Sequence, residues 1–259
     1  QGEPPARLAV IQGRPPGADG AEMTGSRLER LSDVRLYLIA TADQAPAASP
    51  DWLDRVRGAV AGGVGAIQLR QKGASTAVRR AWLRQLREVL GSKALLLVND
   101  DLAAVHDGQG ALLADGLHLG RADAEALGGH SGTPAERRHR GLSRARDTLG
   151  PELLLGTSTR TATEIAAALA AGVDHVGFGA MSVSTTKPGA PPARPEELAR
   201  CLARFPGLPI FPIGGVDLET LPAWQALGAR QAAVGSAVLQ ALDPRASAAA
   251  LWALFTPDG

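Results

Sequence analysis

The amino-acid sequence predicts an α/β protein, a single (β/α)8 barrel (TIM barrel) that follows an irregular N-terminal extension. From Val34 onward, eight short apolar runs alternate with longer segments of helical spacing. Near-continuous apolar runs are typical of parallel strands that are covered on both faces. The chain has 259 residues, and barrels of this kind commonly take roughly 250 residues as one domain. A doubly wound open sheet is the alternative architecture.

Each predicted element follows from its own run of residues. Residues 1–33 are rich in Pro, Gly, Arg and Glu and are interpreted as a tail or linker, and residues 34–259 as the barrel. The segment 128–146 is expected to be a mobile insertion. The predicted strands are residues 36–40, 66–69, 94–98, 116–119, 153–156, 175–178, 210–213 and 231–234. The main predicted helices are residues 52–61, 76–90, 163–171, 195–204, 218–227 and 245–254.

Composition argues against several classes of function. The formal net charge is +1, and no basic run with interleaved aromatic residues indicates a nucleic-acid partner. No apolar run approaches the ~20 residues of a bilayer span. Cys201 is the only cysteine, so no internal disulfide forms, and it is interpreted as an inert helix residue. We expect a cytoplasmic protein without nucleic-acid or membrane partners. The chain begins at Gln1, so fusion to another domain upstream stays open.

Cations lie where the second predicted strand ends. Gln68, Arg70 and Lys72 alternate in an extended segment and are expected to project from one side. An arginine fork and a compact lysine charge together suit a pyrophosphate group. The alternative is a solvated, charged loop.

Oxygen donors follow the third and fourth predicted strands. Asn99 and Asp100 come directly after one apolar run, and Asp123 follows the next. Carboxylates from two strand ends, completed by substrate oxygens, suit Mg²⁺. Asp101 is interpreted as a helix N-cap, and His118 as a packed or hydrogen-bonded histidine without a metal role.

A second anion site is predicted after the sixth, seventh and eighth strands. Barrels often bind phosphate there through backbone N–H groups, and glycine permits close approach. Exposed loops and structural turns are the alternatives for each segment alone. The residues concerned are Ser184, Thr186, Lys187, Gly215, Gly235 and Ser236.

Taken together, these motifs resemble the thiamine-phosphate synthase (thiamine-phosphate pyrophosphorylase) family, over nearly all of the chain from Leu36 to Phe255. The resemblance implies an enzyme that joins 4-amino-2-methyl-5-hydroxymethylpyrimidine diphosphate to a thiazole phosphate, giving thiamine phosphate and pyrophosphate. It implies a dissociative reaction, in which pyrophosphate leaves before the thiazole nitrogen attacks, with Mg²⁺ as the cofactor. One departure is Arg160, where the family commonly has histidine.

The resemblance also assigns roles to single residues. It implies that Asp100 and Asp123 hold Mg²⁺, and that Ser184, Thr186, Gly215, Gly235 and Ser236 bind the thiazole phosphate. It implies that the pyrimidine diphosphate is bound by Gln68, Arg70, Lys72, Asn99, Ser158 and Lys187. Of these, Arg70, Lys72, Ser158 and Lys187 are expected to be catalytic.

Two other functions stay open at the level of sequence. A related thiazole tautomerase shares the barrel and the thiazole phosphate site, but such proteins tend to lack the metal aspartates. A barrel that binds thiazole phosphate or thiamine phosphate without turnover is the alternative from another class.

Overall fold

The eight strands form a closed parallel barrel in a computed structural model that describes residues 25–42, 50–182 and 192–255. The strands follow chain order, and the last pairs with the first, with Leu36 opposite Ala232. The strands are β1 (Leu36–Thr41), β2 (Val64–Arg70), β3 (Leu95–Asn99), β4 (Gly116–Leu119), β5 (Leu154–Thr159), β6 (His175–Gly179), β7 (Ile210–Ile213) and β8 (Ala232–Val234). The predicted fold class is therefore confirmed, and the open sheet is excluded.

Helices cover the outside of the barrel, and a 3-10 helix (Leu102–Val105) follows β3. The helices are α1 (Arg27–Asp33), α2 (Pro50–Ala61), α3 (Thr76–Leu90), α4 (Arg121–Leu127), α5 (Pro134–Leu149), α6 (Ala162–Ala170), α7 (Pro195–Arg204), α8 (Leu221–Ala226), α9 (Ser236–Leu239) and α10 (Pro244–Ala253). The predicted bounds agree within a few residues. Within the described ranges, no helix combines the length and apolarity needed to cross a membrane.

Strand alternation divides the apolar residues into two core layers. Successive side chains of a strand point to opposite faces, so Leu36 and Leu38 pack beneath the helices. Tyr37 between them points into the barrel and packs in the inner core with Leu97 and Phe211. The barrel interior is therefore filled with side chains and is not a pore.

Helix α1 packs under the N-terminal end of the barrel, although the sequence analysis places its residues in the tail. Leu31 is fully buried in the inner core. The Gln231 side-chain amide donates to the carbonyls of Leu31 at 3.2 Å and Val34 at 2.7 Å. A capping box between Ser26 and Glu29 begins the helix. The prediction of an irregular tail is therefore wrong for residues 27–33.

The segment after β4 is also regular, which corrects the expected mobile insertion over residues 128–146. A second capping box, between Thr133 and Glu136 around Pro134, begins α5. Helix α5 packs closely on α4, and Gly141 permits this approach, because a Cβ there would lie 1.9 Å from the Ala124 carbonyl oxygen. This segment is therefore part of the helical layer that covers the barrel.

Candidate active site

The C-terminal end of the barrel gathers polar side chains from several strands. Ala66, Leu97 and Leu154 face the interior and belong to its apolar core. Residues two positions further along a strand share its face. The predicted site residues that alternation turns inward at this end are Gln68, Arg70, Asn99 and Ser158.

Gln68 and Lys72 occupy different depths of this site. The Gln68 amide is buried and donates to the Tyr37 hydroxyl at 3.1 Å. Burial raises the pKa of Tyr37, so that hydroxyl keeps its proton. Strand β2 ends at Arg70, and Lys72 lies in the turn beyond it. Strand alternation therefore does not set the direction of Lys72, contrary to the sequence prediction.

The two predicted metal carboxylates face each other across Gly120. A Cβ on Gly120 would lie 3.2 Å from Asp100 Oδ1 and 3.2 Å from Asp123 Oδ2. The Gly120 N–H donates to Asp100 Oδ1 at 2.7 Å, and the Asn99 amide donates to Asp100 Oδ2. Asp123 stands in the first turn of α4. Two carboxylates from neighbouring strand ends thus converge on one small gap that the missing Cβ leaves open.

Both carboxylates carry signs of a functional position. Asp100 has a φ of 62°, a left-handed conformation that non-glycine residues seldom adopt. Such conformations cluster at ligand sites because the surrounding structure must hold them. Burial raises the pKa of Asp123, the Asp100 carboxylate raises it further, and Lys72 acts in the opposite sense. A divalent cation between the carboxylates would relieve this repulsion.

A cleft of about 280 Å³ opens beside the carboxylates. It brings two cations, two side-chain amides and both aspartates together at the mouth of the barrel. The residues that line it are Gln71, Lys72, Gly73, Arg79, Asn99, Asp100 and Asp123. Among the described residues, no three His, Cys, Asp or Glu side chains form a closed metal cage. Two carboxylates with an open side fit Mg²⁺, which usually keeps waters and substrate oxygens in its shell.

Ser158 has a partner that the sequence analysis did not assign. Its hydroxyl lies 3.1 Å from His118 Nε2, which agrees with the interpretation of His118 as a hydrogen-bonded histidine. His175 lies behind His118, with ring centroids 5.8 Å apart, and is fully buried. Burial lowers the pKa of His175 well below its usual value, and the neighbouring His118 lowers it further, so this ring is neutral. Gly156 leaves room for both imidazoles, since a Cβ there would lie 2.2 Å from His175 Nε2.

The predicted thiazole phosphate residues are only partly described. Gly215 and Gly235 follow β7 and β8 at the same end of the barrel. Gly215 has a φ of 67° and packs on Ser182, because a Cβ added at Gly215 would lie 2.2 Å from Ser182 Oγ. Ser236 begins α9. Ser184, Thr186 and Lys187 lie outside the described residues, so their predicted roles stay predictions.

Two residues stand outside the cleft chemistry, as the sequence analysis expects. Asp101 caps the 3-10 helix, and its Oδ1 accepts the Ala104 N–H at 3.1 Å. Cys201 is buried in α7, and burial raises the pKa of its thiol to about 11.

Arg160, where the family commonly has histidine, donates through Nε to the Gly179 carbonyl at 3.0 Å, at the end of β6.

A parallel barrel with cations, a carboxylate pair and glycine turns at its C-terminal end has the architecture of (β/α)8 enzymes, whose active sites lie at that end. Comparison with known proteins identifies the family within that class. Residues 36–238 match the family model described as thiamine monophosphate synthase. The chain belongs to this family, whose members are transferases, and it is therefore an enzyme of transferase type.

Individual relatives agree with the family match. The chain is 39% identical to a thiamine-phosphate synthase from Anaeromyxobacter dehalogenans, over 91% of this chain and 93% of that protein. It is 38% identical to a thiamine-phosphate synthase from Thermobifida fusca, over 86% of this chain and 93% of that protein. A solved structure of a thiamine phosphate pyrophosphorylase from Pyrococcus furiosus superimposes with a TM-score of 0.66 and 26% identity, covering 88% of this chain and 97% of that one.

Proposed function

We propose that this protein is a thiamine-phosphate synthase of thiamine biosynthesis, which joins the pyrimidine diphosphate to the thiazole phosphate and releases pyrophosphate. The single observation that supports it best is the carboxylate pair across Gly120, which shares one cleft with Lys72 and Asn99. The family match supports the same reaction. The cytoplasmic location, a possible fusion to another domain upstream, and the lack of nucleic-acid and membrane partners stay predictions.

The proposed reaction transfers a pyrimidinylmethyl group from a diphosphate oxygen to the thiazole nitrogen. The bond between the methylene carbon and the diphosphate oxygen breaks, and its electron pair leaves with pyrophosphate. The aminopyrimidine ring stabilises the resulting methylene cation. The lone pair of the thiazole nitrogen then forms the new C–N bond, so the atoms and electrons balance without an oxidant or reductant.

The chain's own residues would stabilise the departing group. Arg70 and Lys72 place positive charge where negative charge grows on the diphosphate, which is the most effective use of fixed charge in catalysis. Lys187 is proposed to add a third cation, and Gln68 and Asn99 to orient the pyrimidine and the diphosphate. Ser158, held by His118 at 3.1 Å, is proposed to bind the diphosphate through its hydroxyl.

The metal and the second substrate complete the proposal. Asp100 and Asp123 would hold Mg²⁺, which when bound supplies Lewis-acid stabilisation of phosphate oxygens. The thiazole phosphate is proposed to contact Ser184, Thr186, Gly215, Gly235 and Ser236. The glycine positions support this, since backbone N–H groups can approach a phosphate closely where no Cβ intervenes.

A two-substrate assay tests the function directly. Purified protein with both substrates and Mg²⁺ should form thiamine phosphate and pyrophosphate, and EDTA should stop the reaction. Asp100→Ala and Asp123→Ala should each abolish turnover while the fold persists. Asp54→Ala removes an exposed carboxylate whose side chain is 60% accessible, and it should leave turnover unchanged.

The competing functions predict different products. Isomerisation of the thiazole carboxylate phosphate without thiamine phosphate would move the assignment to the tautomerase. Binding of thiazole phosphate with no product from either reaction would indicate a non-catalytic barrel. Full activity in both aspartate variants would contradict the metal assignment.

A further inference from the structure

Arg79 forms part of the wall of the candidate diphosphate cleft. It lies in the first turn of α3, and its side chain is only 16% exposed. Its guanidinium makes three hydrogen bonds. Nη1 donates to Asp101 Oδ2 at 2.8 Å, while Nε and Nη2 donate to the Gln71 carbonyl oxygen at 3.2 and 3.0 Å. The guanidinium therefore connects two separate loops.

Each of these loops carries a predicted ligand-binding residue next to the point where Arg79 holds it. Gln71 stands between Arg70 and Lys72 in the loop after β2. Asp101 directly follows Asp100 in the loop after β3. Arg79 thus fixes the cationic side of the cleft against its carboxylate side.

The chemistry of the guanidinium explains why arginine is needed at this place. A planar fork can donate to a carbonyl and to a carboxylate at the same time, whereas a lysine ammonium is a flexible point charge. The Asp101 end of the link is itself held, because Asp101 Oδ1 caps the 3-10 helix. The Asp101 side chain is 8% exposed, so solvent competes little with the ion pair.

We propose that Arg79 is a positioning residue for diphosphate binding, a role that rests on the proposed synthase function. Its guanidinium donates to Asp101 and Gln71, so it acts through the neighbouring Asp100 and Lys72. Holding the two loops at a fixed separation sets Lys72 and the metal carboxylates in place before the diphosphate arrives. Preorganisation of this kind increases affinity because less ordering is left to binding.

The test compares Arg79→Lys with a neighbouring variant. Arg80→Ala is the matched control, because Arg80 lies beside Arg79 on α3 and donates to the Ala103 carbonyl at 2.7 Å, outside the cleft. Asp101→Asn removes the ion pair between Arg79 and Asp101 from its other end, and it keeps an oxygen that can cap the 3-10 helix. Isothermal titration calorimetry with inorganic pyrophosphate and Mg²⁺ gives the Kd for each full-length variant, and thermal unfolding monitors the fold.

Loss of these charge-assisted hydrogen bonds should raise the pyrophosphate Kd about tenfold in Arg79→Lys and in Asp101→Asn. Arg80→Ala should stay within about twofold of the wild type, because Arg80 does not line the cleft. In steady-state assays the KM for the pyrimidine diphosphate should rise in parallel, while the KM for the thiazole phosphate stays unchanged. A purely structural ion pair would lower the Tm without this split between the two KM values.

The proposal and the synthase function fail in different ways. Wild-type protein that binds pyrophosphate with Mg²⁺ but forms no thiamine phosphate would refute the function, and the Kd comparison would still decide the role of Arg79. Wild-type affinity in Arg79→Lys, or an equal loss in Arg80→Ala, would overturn the positioning role. So would a wild-type protein that does not bind pyrophosphate with Mg²⁺ at all.

Discussion

Gly120→Ala is the most specific perturbation of the metal site, because it adds one methyl group between the two carboxylates. Gly120 has φ −64° and ψ 162°, a conformation open to any L-residue, so alanine causes no backbone strain. The new Cβ would lie 3.2 Å from both Asp100 Oδ1 and Asp123 Oδ2. The substitution therefore acts on the carboxylates and leaves the backbone in place.

The expected effect follows from these two distances. Ordinary contact of a Cβ begins near 3.4 Å, so each carboxylate oxygen must retreat by a few tenths of an ångström. Mg²⁺ demands near-ideal octahedral geometry at about 2.0–2.1 Å, and displaced ligands fit it poorly. Disturbing the support of metal ligands typically costs about 10- to 100-fold in affinity. We expect a loss in that range, with a change of less than about 1 kcal/mol in the free energy of unfolding.

Titration of the initial rate with Mg²⁺ measures this effect. Gly120→Ala should need at least about tenfold more Mg²⁺ for half-maximal rate. Gly207→Ala is the matched control, because a Cβ there meets nothing within 4 Å. An unchanged Mg²⁺ requirement in a folded Gly120→Ala protein would refute the view that Asp100 and Asp123 share one metal ion.

Three further predictions concern Leu31 at the N-terminal end of the barrel, the ion pairs of Asp115, and Ser158. Leu31→Ala should lower the free energy of unfolding by about 2–5 kcal/mol in urea titrations, and a change below about 0.5 kcal/mol would show that α1 does not complete the core. Burial raises the pKa of Asp115, but Arg87, the Leu96 N–H and Arg27 together outweigh burial, so the pKa is lowered. Asp115 therefore stabilises the fold above its unfolded pKa of about 3.9, and this stability is lost as pH falls through the lower folded pKa. Asp115→Asn should flatten the pH dependence of unfolding there, whereas an unaltered curve would show that the ion pairs of Asp115 with Arg27 and Arg87 do not stabilise the fold. His118→Ala and Ser158→Ala should be non-additive in kcat/KM by about 0.5–3 kcal/mol, and simple additivity would exclude a functional link through their hydrogen bond.

The strands of the barrel could be predicted because their burial leaves a local trace in the sequence. Residues 95–98 and 210–213 are buried or nearly so on both faces, so their apolar runs need no knowledge of the partners. The carboxylates were predictable for a related reason. Asp100 directly follows β3 and Asp123 lies in the first turn of the helix after β4, and parallel strands bring such positions to one edge.

Helices α1 and α5 were not predicted from the sequence. Helix α1 has 7 residues, too few for a clear hydrophobic face. The Ser26 to Glu29 capping box was the available signal, and Thr133 to Glu136 was the corresponding signal for α5. Local capping chemistry was therefore more informative than composition at both places.

Contacts between distant strands could not be predicted from either strand alone. His118 meets Ser158 only because β4 and β5 pair in the register that sets His118 opposite Gly156. The link from Arg79 to Gln71 and Asp101 likewise depends on how α3 packs against two loops. These contacts come from the pairing and packing of separate elements, which no single segment encodes.

In the proposed mechanism, one divalent ion and neighbouring cations bind the diphosphate at the mouth of the barrel. A crystal structure of the protein with the pyrimidine diphosphate and Mn²⁺ in place of Mg²⁺ tests it most directly. We expect an anomalous-scattering peak between Asp100 and Asp123, with diphosphate oxygens against Arg70 and Lys72. A metal peak elsewhere, or a diphosphate bound away from these four residues, would contradict it.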